Sequence, residues 1–153
     1  GKQLSKQHNI SLIDTDEKIK NKYKSSITEI FKNNGENIFR KIEADILRDI
    51  PKKNLVACGG GLPTYKSNMK FINQTGCSIY LKASENELFN RISKNDNKRP
   101  LIQNKSKEEL KLFIKQTLAD RKKFYLMADY TIDTTNLSIN EVLTKINALR
   151  ITI

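Results

Sequence analysis

Residues 10–16 read Ile-Ser-Leu-Ile-Asp-Thr-Asp, a short apolar segment that ends in two carboxylates. Similar short apolar segments recur along the chain, at Ile10–Ile13, Leu55–Cys58, Cys77–Leu81 and Tyr130–Ile132. Between them the apolar residues repeat with the helical period, as in Ile38, Ile42, Ile46 and Ile50, or Leu110, Ile114 and Leu118. Short strands that alternate with helices are typical of a parallel sheet with crossover helices. The sequence therefore predicts an α/β fold.

Several helix boundaries are also marked. A serine followed three residues later by glutamate can form a reciprocal capping box at a helix start. The pairs of this kind are Ser26 with Glu29, Ser84 with Glu87, Ser106 with Glu109, and Ser138 with Glu141. Gly35 and Gly76 each follow a helical segment, where a left-handed residue commonly ends a helix.

Asp14 and Asp16 follow the first predicted strand. Ligands of open α/β sheets bind at the carboxyl ends of the strands, and residues two apart on an extended strand share one face. Paired carboxylates there suit holding Mg²⁺ through water and orienting or deprotonating a hydroxyl group. The alternative is that Asp16 only caps a helix that begins at Glu17.

The second predicted strand ends in Cys58 and the triplet Gly59, Gly60 and Gly61. Three consecutive glycines are entropically costly, and a simple turn needs only one. A run of bare peptide units lets backbone N–H groups approach an anion or a small ring closely. A flexible turn is the competing interpretation.

Arginine is scarce in this lysine-rich chain, so each arginine suggests a need for its planar fork. Arg40 and Glu43 lie three apart on a predicted helix, beside its apolar row. A surface pair would stabilise the helix by only about 0.2–0.5 kcal/mol, whereas an oriented arginine at the edge of the core could grip a carboxylate. Arg121 continues the apolar stripe of Leu110 and Ile114, so it either extends its head to water or meets an anion.

Residues 93–105 are polar and follow neither the strand nor the helix period. Loops of about a dozen residues inside a compact domain are lids, binding loops or disordered tips, and a plain surface loop is the alternative. Arg99 lies in this loop and has no evident structural task. A cation on a mobile loop that closes over phosphate would have one.

The length, cysteine count and net charge of the chain limit the class of protein. A chain of 153 residues fits one domain, and the absence of an apolar run of about 18 residues or of a leader predicts a soluble, cytoplasmic protein with no membrane partner. The two cysteines are expected as reduced thiols in buried strands. The net charge of +11 is spread over nearly every segment without a basic stripe, so we expect no nucleic-acid partner.

Taken in order, these motifs resemble those of the shikimate kinases, a P-loop small-molecule kinase family. The motifs that carry the resemblance are Asp14-Thr15-Asp16, Ile27-Thr28-Glu29-Ile30-Phe31, Gly35-Glu36, Phe39-Arg40 with Glu43, the glycine triplet, and Arg99-Pro100-Leu101. The resemblance spans residues 1 to about 149. It implies phosphorylation of the 3-hydroxyl group of shikimate by ATP, in the pathway to the aromatic amino acids.

The resemblance also implies roles for individual residues. Arg40 and Arg121 would bind the shikimate carboxylate, with Glu43 orienting Arg40, Phe39 as an apolar wall, and the backbone of Gly59, Gly60 and Gly61 lining the pocket. The remaining roles are proton removal by Asp16, the Mg²⁺ shell by Asp14, a closing lid cation at Arg99, and adenine contacts by Arg91, Asn136 and Leu137.

The implied fold is a P-loop kinase-like three-layer α/β/α sandwich, with a single domain over residues 1–153 and the lid at 93–105. The sequence contains no Gly-x-x-x-x-Gly-Lys-Ser/Thr motif. We therefore expect a preceding segment of roughly 20 residues that holds the first, central strand and the phosphate-binding loop.

Shikimate, ATP and Mg²⁺ are the expected ligands, and the family expectation is a monomer. One alternative is another P-loop small-molecule kinase, acting on a nucleoside monophosphate or a sugar acid. The other is a non-catalytic relative that binds shikimate or a protein partner without turnover.

Overall fold

The computed structural model describes residues 1–94 and 105–151. The chain divides into two compact units, Gly1–Cys77 and Ser78–Arg150. Within the described residues each unit carries one pair of parallel strands, so the predicted α/β fold is confirmed. A single domain over residues 1–153 stays a prediction. The lid predicted at 93–105 falls mostly on residues 95–104, which lie outside the described ranges.

The first unit begins with α1 (Lys2–His8), β1 (Leu12–Asp14), α2 (Thr15–Tyr23) and α3 (Ile27–Arg48). It continues with β2 (Leu55–Ala57), a short 3-10 helix (Leu62–Thr64) and α4 (Asn68–Thr75). β1 and β2 pair in parallel, with Leu12 opposite Leu55 and Asp14 opposite Ala57. This register brings the carboxyl ends of both strands to the same edge, which is where ligands of parallel sheets bind.

The long helix α3 is interrupted at Gly35, whose φ of 75° and ψ of 170° are not helical. Glycine adopts this backbone region far more readily than other residues, so the interruption predicted at Gly35 is confirmed. The left-handed conformation predicted at Gly76 is wrong. Its φ of −166° and ψ of −175° are extended, because the chain turns from α4 towards the next strand at this residue.

The capping boxes at Ser26, Ser106 and Ser138 form as predicted. At Ser84 only half of the box is present, since the N–H of Glu87 donates to Ser84 Oγ at 3.2 Å. The N–H of Ser84 donates instead to Thr135 Oγ1 at 2.9 Å, and the Glu87 carboxylate accepts from Arg91 Nε at 2.7 Å. One tertiary contact, from Ser84 to Thr135, and one helical ion pair, between Glu87 and Arg91, therefore replace half of the box.

The core of the first unit lies between α2 and α3, and its buried members are Ile19, Ile30, Phe39, Ile42 and Ile46. The predicted apolar row of α3 faces this core only in part, because Ile38 is 49% exposed whereas Ile46 is 1% exposed. The break at Gly35 directs the second half of α3 so that Phe39, Ile42 and Ile46 face inward.

The second unit contains β3 (Ile79–Lys82), α5 (Glu85–Lys94), α6 (Lys107–Tyr125), β4 (Tyr130–Asp133) and α7 (Ile139–Ala148). The strands pair in parallel, with Ile79 opposite Tyr130. Ser78 and Asp129 join the starts of the two strands, with Ser78 N–H donating to Asp129 Oδ2 at 2.8 Å and Asp129 N–H donating to Ser78 Oγ at 2.9 Å. No helix in the described ranges is both long enough and apolar enough to span a membrane.

Replacing Ile46 by alanine should lower the free energy of unfolding by about 2–5 kcal/mol, because a buried side chain leaves a cavity in a packed core. Ile38→Ala on the same helix is the matched control, and it should cost less than about 1 kcal/mol since half of that side chain already faces water. Urea titrations of the two variants compare them directly. Equal losses would contradict the assignment of the core to one face of α3.

Candidate active site

The two predicted acids lie on different elements, because β1 runs directly into α2. Asp14 is the N-cap of α2, and its side chain accepts hydrogen bonds from the backbone N–H groups of Asp16 at 3.0 Å and Glu17 at 3.3 Å. The prediction that both carboxylates share one strand face is therefore wrong, since the helix already begins at Thr15. The capping alternative for Asp16 is also wrong, because Asp14 is the cap.

The glycine triplet follows β2 and approaches the side chains of the other elements closely. A β-carbon on Gly59 would lie 3.5 Å from both Asp16 Oδ1 and Glu43 Oε1. A β-carbon on Gly61 would overlap Cζ and both terminal nitrogens of Arg40. The triplet therefore brings the backbone against three predicted site residues. Only at Gly61 would a β-carbon overlap a neighbour, because the distances at Gly59 are ordinary contacts.

The segment after the triplet is held from α3 and α4. Leu62 is fully buried, and its carbonyl accepts a hydrogen bond at 2.9 Å from Asn68 Nδ2, which is also fully buried. Arg48 Nη1 donates to the carbonyl of Ala44 at 2.7 Å and to Asn68 Oδ1 at 3.4 Å. This chain of contacts sets the position of the glycine backbone relative to α3.

Arg40 is held by two acids of its own helix. Its Nη1 donates to Glu43 Oε2 at 2.6 Å, and its Nε and Nη2 donate to Glu36 Oε1 at 3.2 and 2.9 Å. Burial disfavours the charge of Arg40, but the hydrogen bonds and charges of Glu43 and Glu36 outweigh it, so the pKa of Arg40 is raised above its usual value. The guanidinium group is therefore a fixed, permanent cation.

Glu43 is the buried partner of this pair, with 2% of its side chain exposed against 11% for Arg40. A buried charge that loses its partner is strongly destabilising, by about 3–5 kcal/mol. The pair predicted at the edge of the core thus lies inside it.

Phe39 belongs to the core of the first unit and is 3% exposed. Its ring lies 4.3 Å from that of Phe31 between centroids, and Arg40 Cζ lies 5.5 and 5.9 Å from the centroids of Phe39 and Phe31. Such a cation–aromatic arrangement adds to the orientation of the guanidinium group. Phe39 therefore supports Arg40 from the core side.

Glu36 is a second acidic partner of Arg40, to which the sequence interpretation assigned no role. Its distance of four residues from Arg40 allows a helical ion pair, and the sequence contained that signal. The break at Gly35 lies next to Glu36, so the sequence alone does not show that Glu36 belongs to the same helical turn as Arg40. The structure gives Arg40 one buried and one exposed acidic partner.

Cys58 is exposed rather than buried, and so is Cys77, which corrects the prediction for both thiols. β2 ends at Ala57, so Cys58 stands just beyond the strand. Desolvation of the thiol, together with the negative charges of Glu43, Asp14 and Asp16, raises the pKa of Cys58 to about 11. Although the residue as a whole is exposed, shielding of the sulfur from water is the larger cause, and the three carboxylates add to it. The end of β2 is thus an acidic environment within a basic chain.

The second unit brings three other predicted residues together. Arg91 Nη2 donates to the carbonyl of Thr134 at 2.8 Å, and Arg91 Nε donates to Glu87 at 2.7 Å. The loop after β4 is closed by the N–H of Leu137, which donates to the carbonyl of Thr134 at 3.2 Å. Asn136 in this loop has a φ of 57°, in the left-handed region. Arg91 is therefore held at the loop that carries Asn136 and Leu137.

Arg121 is half-buried on α6 and makes no hydrogen bond or ion pair within residues 1–94 and 105–151. The two alternatives stated for it, extension into water or contact with an anion, both remain. Arg99 lies outside the described residues.

The described part of the chain contains no group of three or more His, Cys, Asp or Glu side chains that could hold a metal ion by itself. Asp14 is exposed at the end of β1 and offers one carboxylate. A single carboxylate with waters and phosphate oxygens is the ligand set that Mg²⁺ commonly takes in phosphoryl-transfer sites. The residues present therefore fit a Mg²⁺ ion that arrives with a nucleotide.

A parallel α/β fold with a fixed cation, Arg40, beside a glycine-rich strand end is typical of enzymes that bind small anionic ligands. Comparisons with known proteins identify the family. The family model described as shikimate kinase matches residues 1–149. The shikimate kinase of Azobacteroides pseudotrichonymphae is 41% identical over 146 residues, which are 94% of this chain and 86% of that protein. The chain belongs to the shikimate kinase family.

Solved structures agree with this assignment. The 1.7 Å crystal structure of the shikimate kinase from Bacteroides thetaiotaomicron matches 98% of this chain and 89% of that chain, with a TM-score of 0.92 and 29% identity. The shikimate kinase from Acinetobacter baumannii in complex with shikimate matches 98% of this chain and 83% of that chain, with a TM-score of 0.88 and 29% identity. The predicted P-loop kinase-like α/β class is thereby confirmed.

Replacing Gly61 by alanine should displace the Arg40 guanidinium group from Glu43. The backbone of Gly61, with a φ of −85°, accepts any residue, so the effect arises only from overlap of the new methyl group with Arg40. We expect a loss of about 1–3 kcal/mol in the free energy of unfolding. Gly76→Ala, with open space at its β-position, should change it by less than about 1 kcal/mol. A Gly61→Ala variant as stable as the wild type in urea titrations would contradict the contact.

Cys58 should be alkylated slowly near neutral pH. A thiol with a pKa near 11 carries about 100-fold less thiolate at pH 8 than one with a pKa near 9. In a Cys77→Ser background the rate of reaction with iodoacetamide should still be rising above pH 10. A plateau near pH 9 would show that neither desolvation nor the surrounding carboxylates act on the thiol.

Proposed function

We propose that this chain is a shikimate kinase, which transfers the γ-phosphate of ATP to the 3-hydroxyl group of shikimate. The family consists of phosphotransferases that act on an alcohol group. The observation that carries the proposal is the convergence of Asp16, Arg40 and Glu43 on the backbone of Gly59–Gly61. This cluster offers a fixed cation, a carboxylate and bare backbone within one strand end, which suits a small hydroxylated ring acid.

Arg40 would bind the carboxylate of shikimate. A guanidinium group matches a carboxylate with two parallel hydrogen bonds, which give geometric specificity as well as energy. Glu43 orients Arg40, and the missing side chain of Gly61 leaves the space that the guanidinium group occupies. The backbone of Gly59, Gly60 and Gly61 would line the pocket beside it. Arg121 of the second unit is the second proposed ligand of the carboxylate, and Phe39 supports the pocket through Arg40.

Asp16 would take the proton of the acceptor hydroxyl group. As the bond between the 3-oxygen and the γ-phosphorus forms and the bond from that phosphorus to the leaving ADP oxygen breaks, the hydroxyl proton passes to the Asp16 carboxylate. Phosphoryl transfer depends chiefly on positioning and on stabilisation of charge. The second task of Asp16 is therefore to hold the hydroxyl group in line, beside Gly59 and Gly60.

The nucleotide would contact the second unit. Arg91 would pack on the adenine ring, and Asn136 and Leu137 would form the loop beside it, in keeping with the contacts that hold Arg91 to Thr134. Arg99 would approach the phosphates from the loop at 93–105. When bound, Mg²⁺ neutralises charge on the phosphate oxygens, and Asp14 would hold its shell through water.

The proposal includes the biological setting. Shikimate phosphorylation belongs to the biosynthesis of aromatic amino acids, and membership of the family makes the protein a kinase, which is a class of transferase. A cytoplasmic location and a monomeric state are the finer parts of the proposal. Sedimentation at micromolar concentration tests the latter.

Replacing Asp16 by asparagine should lower kcat for shikimate by about 10²- to 10⁴-fold, because a general base contributes in this range. The free energy of unfolding should fall by no more than about 1 kcal/mol, since Asp16 is not the helix cap and contributes only a charge in the first turn of α2. A coupled assay of ADP release with the full-length protein measures the first quantity and urea titration the second.

Glu17→Gln is the matched control, because Glu17 is an exposed carboxylate in the same first turn and is paired only on the surface with Lys20. It should leave kcat within about twofold, as an exposed pair contributes at most about 1 kcal/mol. Turnover of Asp16→Asn at the wild-type rate would remove Asp16 from the mechanism.

A further inference from the structure

Arg40 is hydrogen-bonded to two carboxylates before any substrate binds. Glu43 takes Nη1, while Oε1 of Glu36 takes Nε and Nη2 together. One guanidinium charge therefore faces two acidic charges, and the local sum is negative. Bringing the carboxylate of a substrate to the same group would place three anions around one cation.

The two acids differ sharply in how easily they could leave. The Glu43 side chain is 2% exposed, so its departure from Arg40 would strand a buried charge. The Glu36 side chain is 61% exposed, so water can solvate it as soon as it turns away. An exposed ion pair is weak because solvent screens it and competes for its hydrogen bonds. Glu36 is thus the partner that an incoming carboxylate would displace.

The edge that Glu36 occupies is also the one a carboxylate needs. Nε and Nη2 present two parallel N–H donors, the fork that binds a carboxylate with two hydrogen bonds. Glu36 fills this fork with a single oxygen, at 3.2 and 2.9 Å. The face of the guanidinium group is not accessible in the same way, because the backbone of Gly61 lies against it.

We propose that Glu36 is an internal competitor for the substrate carboxylate, which it holds off Arg40 until the substrate displaces it. This inference rests on the proposed function. Binding is then an exchange of one carboxylate for another rather than an addition. Glu36 lowers the affinity for shikimate, while Glu43 maintains the orientation of Arg40. Only a ligand with its own carboxylate can replace Glu36 at Nε and Nη2.

The test is calorimetric titration of shikimate, and of methyl shikimate in which the carboxylate is esterified, into the full-length protein. Glu36→Gln should bind shikimate about two- to fivefold more tightly than the wild type, because an exposed pair contributes at most about 1 kcal/mol and a tenfold change in affinity corresponds to 1.4 kcal/mol. Its affinity for methyl shikimate should equal that of the wild type. KM for shikimate should fall in the same proportion, with kcat unchanged within about twofold.

Asp45→Asn is the matched control. Asp45 is an exposed acid on the same helix and makes no contact with Arg40. Its replacement by asparagine removes the same charge as Glu36→Gln. Its affinity for shikimate should equal that of the wild type, which separates displacement at Arg40 from a general change of charge.

The outcomes distinguish the inference from the function on which it rests. Failure of the wild type to bind or phosphorylate shikimate overturns the proposed function. If the wild type does both, equal or weaker binding by Glu36→Gln overturns the inference alone, since Glu36 would then be neutral or would help to position Arg40. Equal tightening by Asp45→Asn, or tightening towards methyl shikimate, overturns it as well.

Discussion

The site depends on one buried ion pair, between Arg40 and Glu43. Arg40 lies against the peptide of Gly61 on one side and near the rings of Phe31 and Phe39 in the core. Its charge is tolerated there because Glu43 is fully buried beside it and bonded at 2.6 Å. The buried charges and the glycine run would each be unfavourable alone, since a lone buried charge or a bare glycine run costs free energy. Together they fix a cation at the end of a strand.

The electrostatics of this strand end run against the composition of the chain. The protein carries a net charge of +11, yet Asp14, Asp16 and Glu43 lie near the end of β2, where their charges add to the desolvation that raises the pKa of Cys58. An anionic substrate would therefore be attracted to the molecule as a whole and repelled locally, except at Arg40. The positive net charge raises the rate at which an anionic substrate meets the protein. At the end of β2, Arg40 is the group that attracts a carboxylate. That division suits an enzyme whose acceptor must be oriented by one end.

Much of the architecture was predictable from the sequence, because it rests on local chemistry. The strands were placed within two residues, as Leu12–Asp14 and Leu55–Ala57 show, and the capping serines at Ser26, Ser106 and Ser138 act within one turn of helix. The predictions that failed depend on contacts between distant segments or on backbone geometry that the sequence does not specify. Ser84 gave up half of its capping box to Thr135, 51 residues away. Only the structure shows that α2 begins at Thr15, so that Asp14 rather than Asp16 is its cap. Whether the guanidinium group of Arg40 also engages Glu36 depends on the break at Gly35, whose exact dihedral angles no sequence pattern predicts.

The central claim is that Arg40 is the carboxylate-binding cation of this protein. Nitrogen-15 spectra of the arginine side chains, recorded while shikimate is added to the full-length protein, test it most directly. Arg48 serves as the internal reference, because its guanidinium group is held by the carbonyl of Ala44 and by Asn68. The account predicts a saturable shift of the Arg40 Nε–H resonance and no shift of Arg48. A saturable shift elsewhere, with Arg40 unmoved, would contradict it.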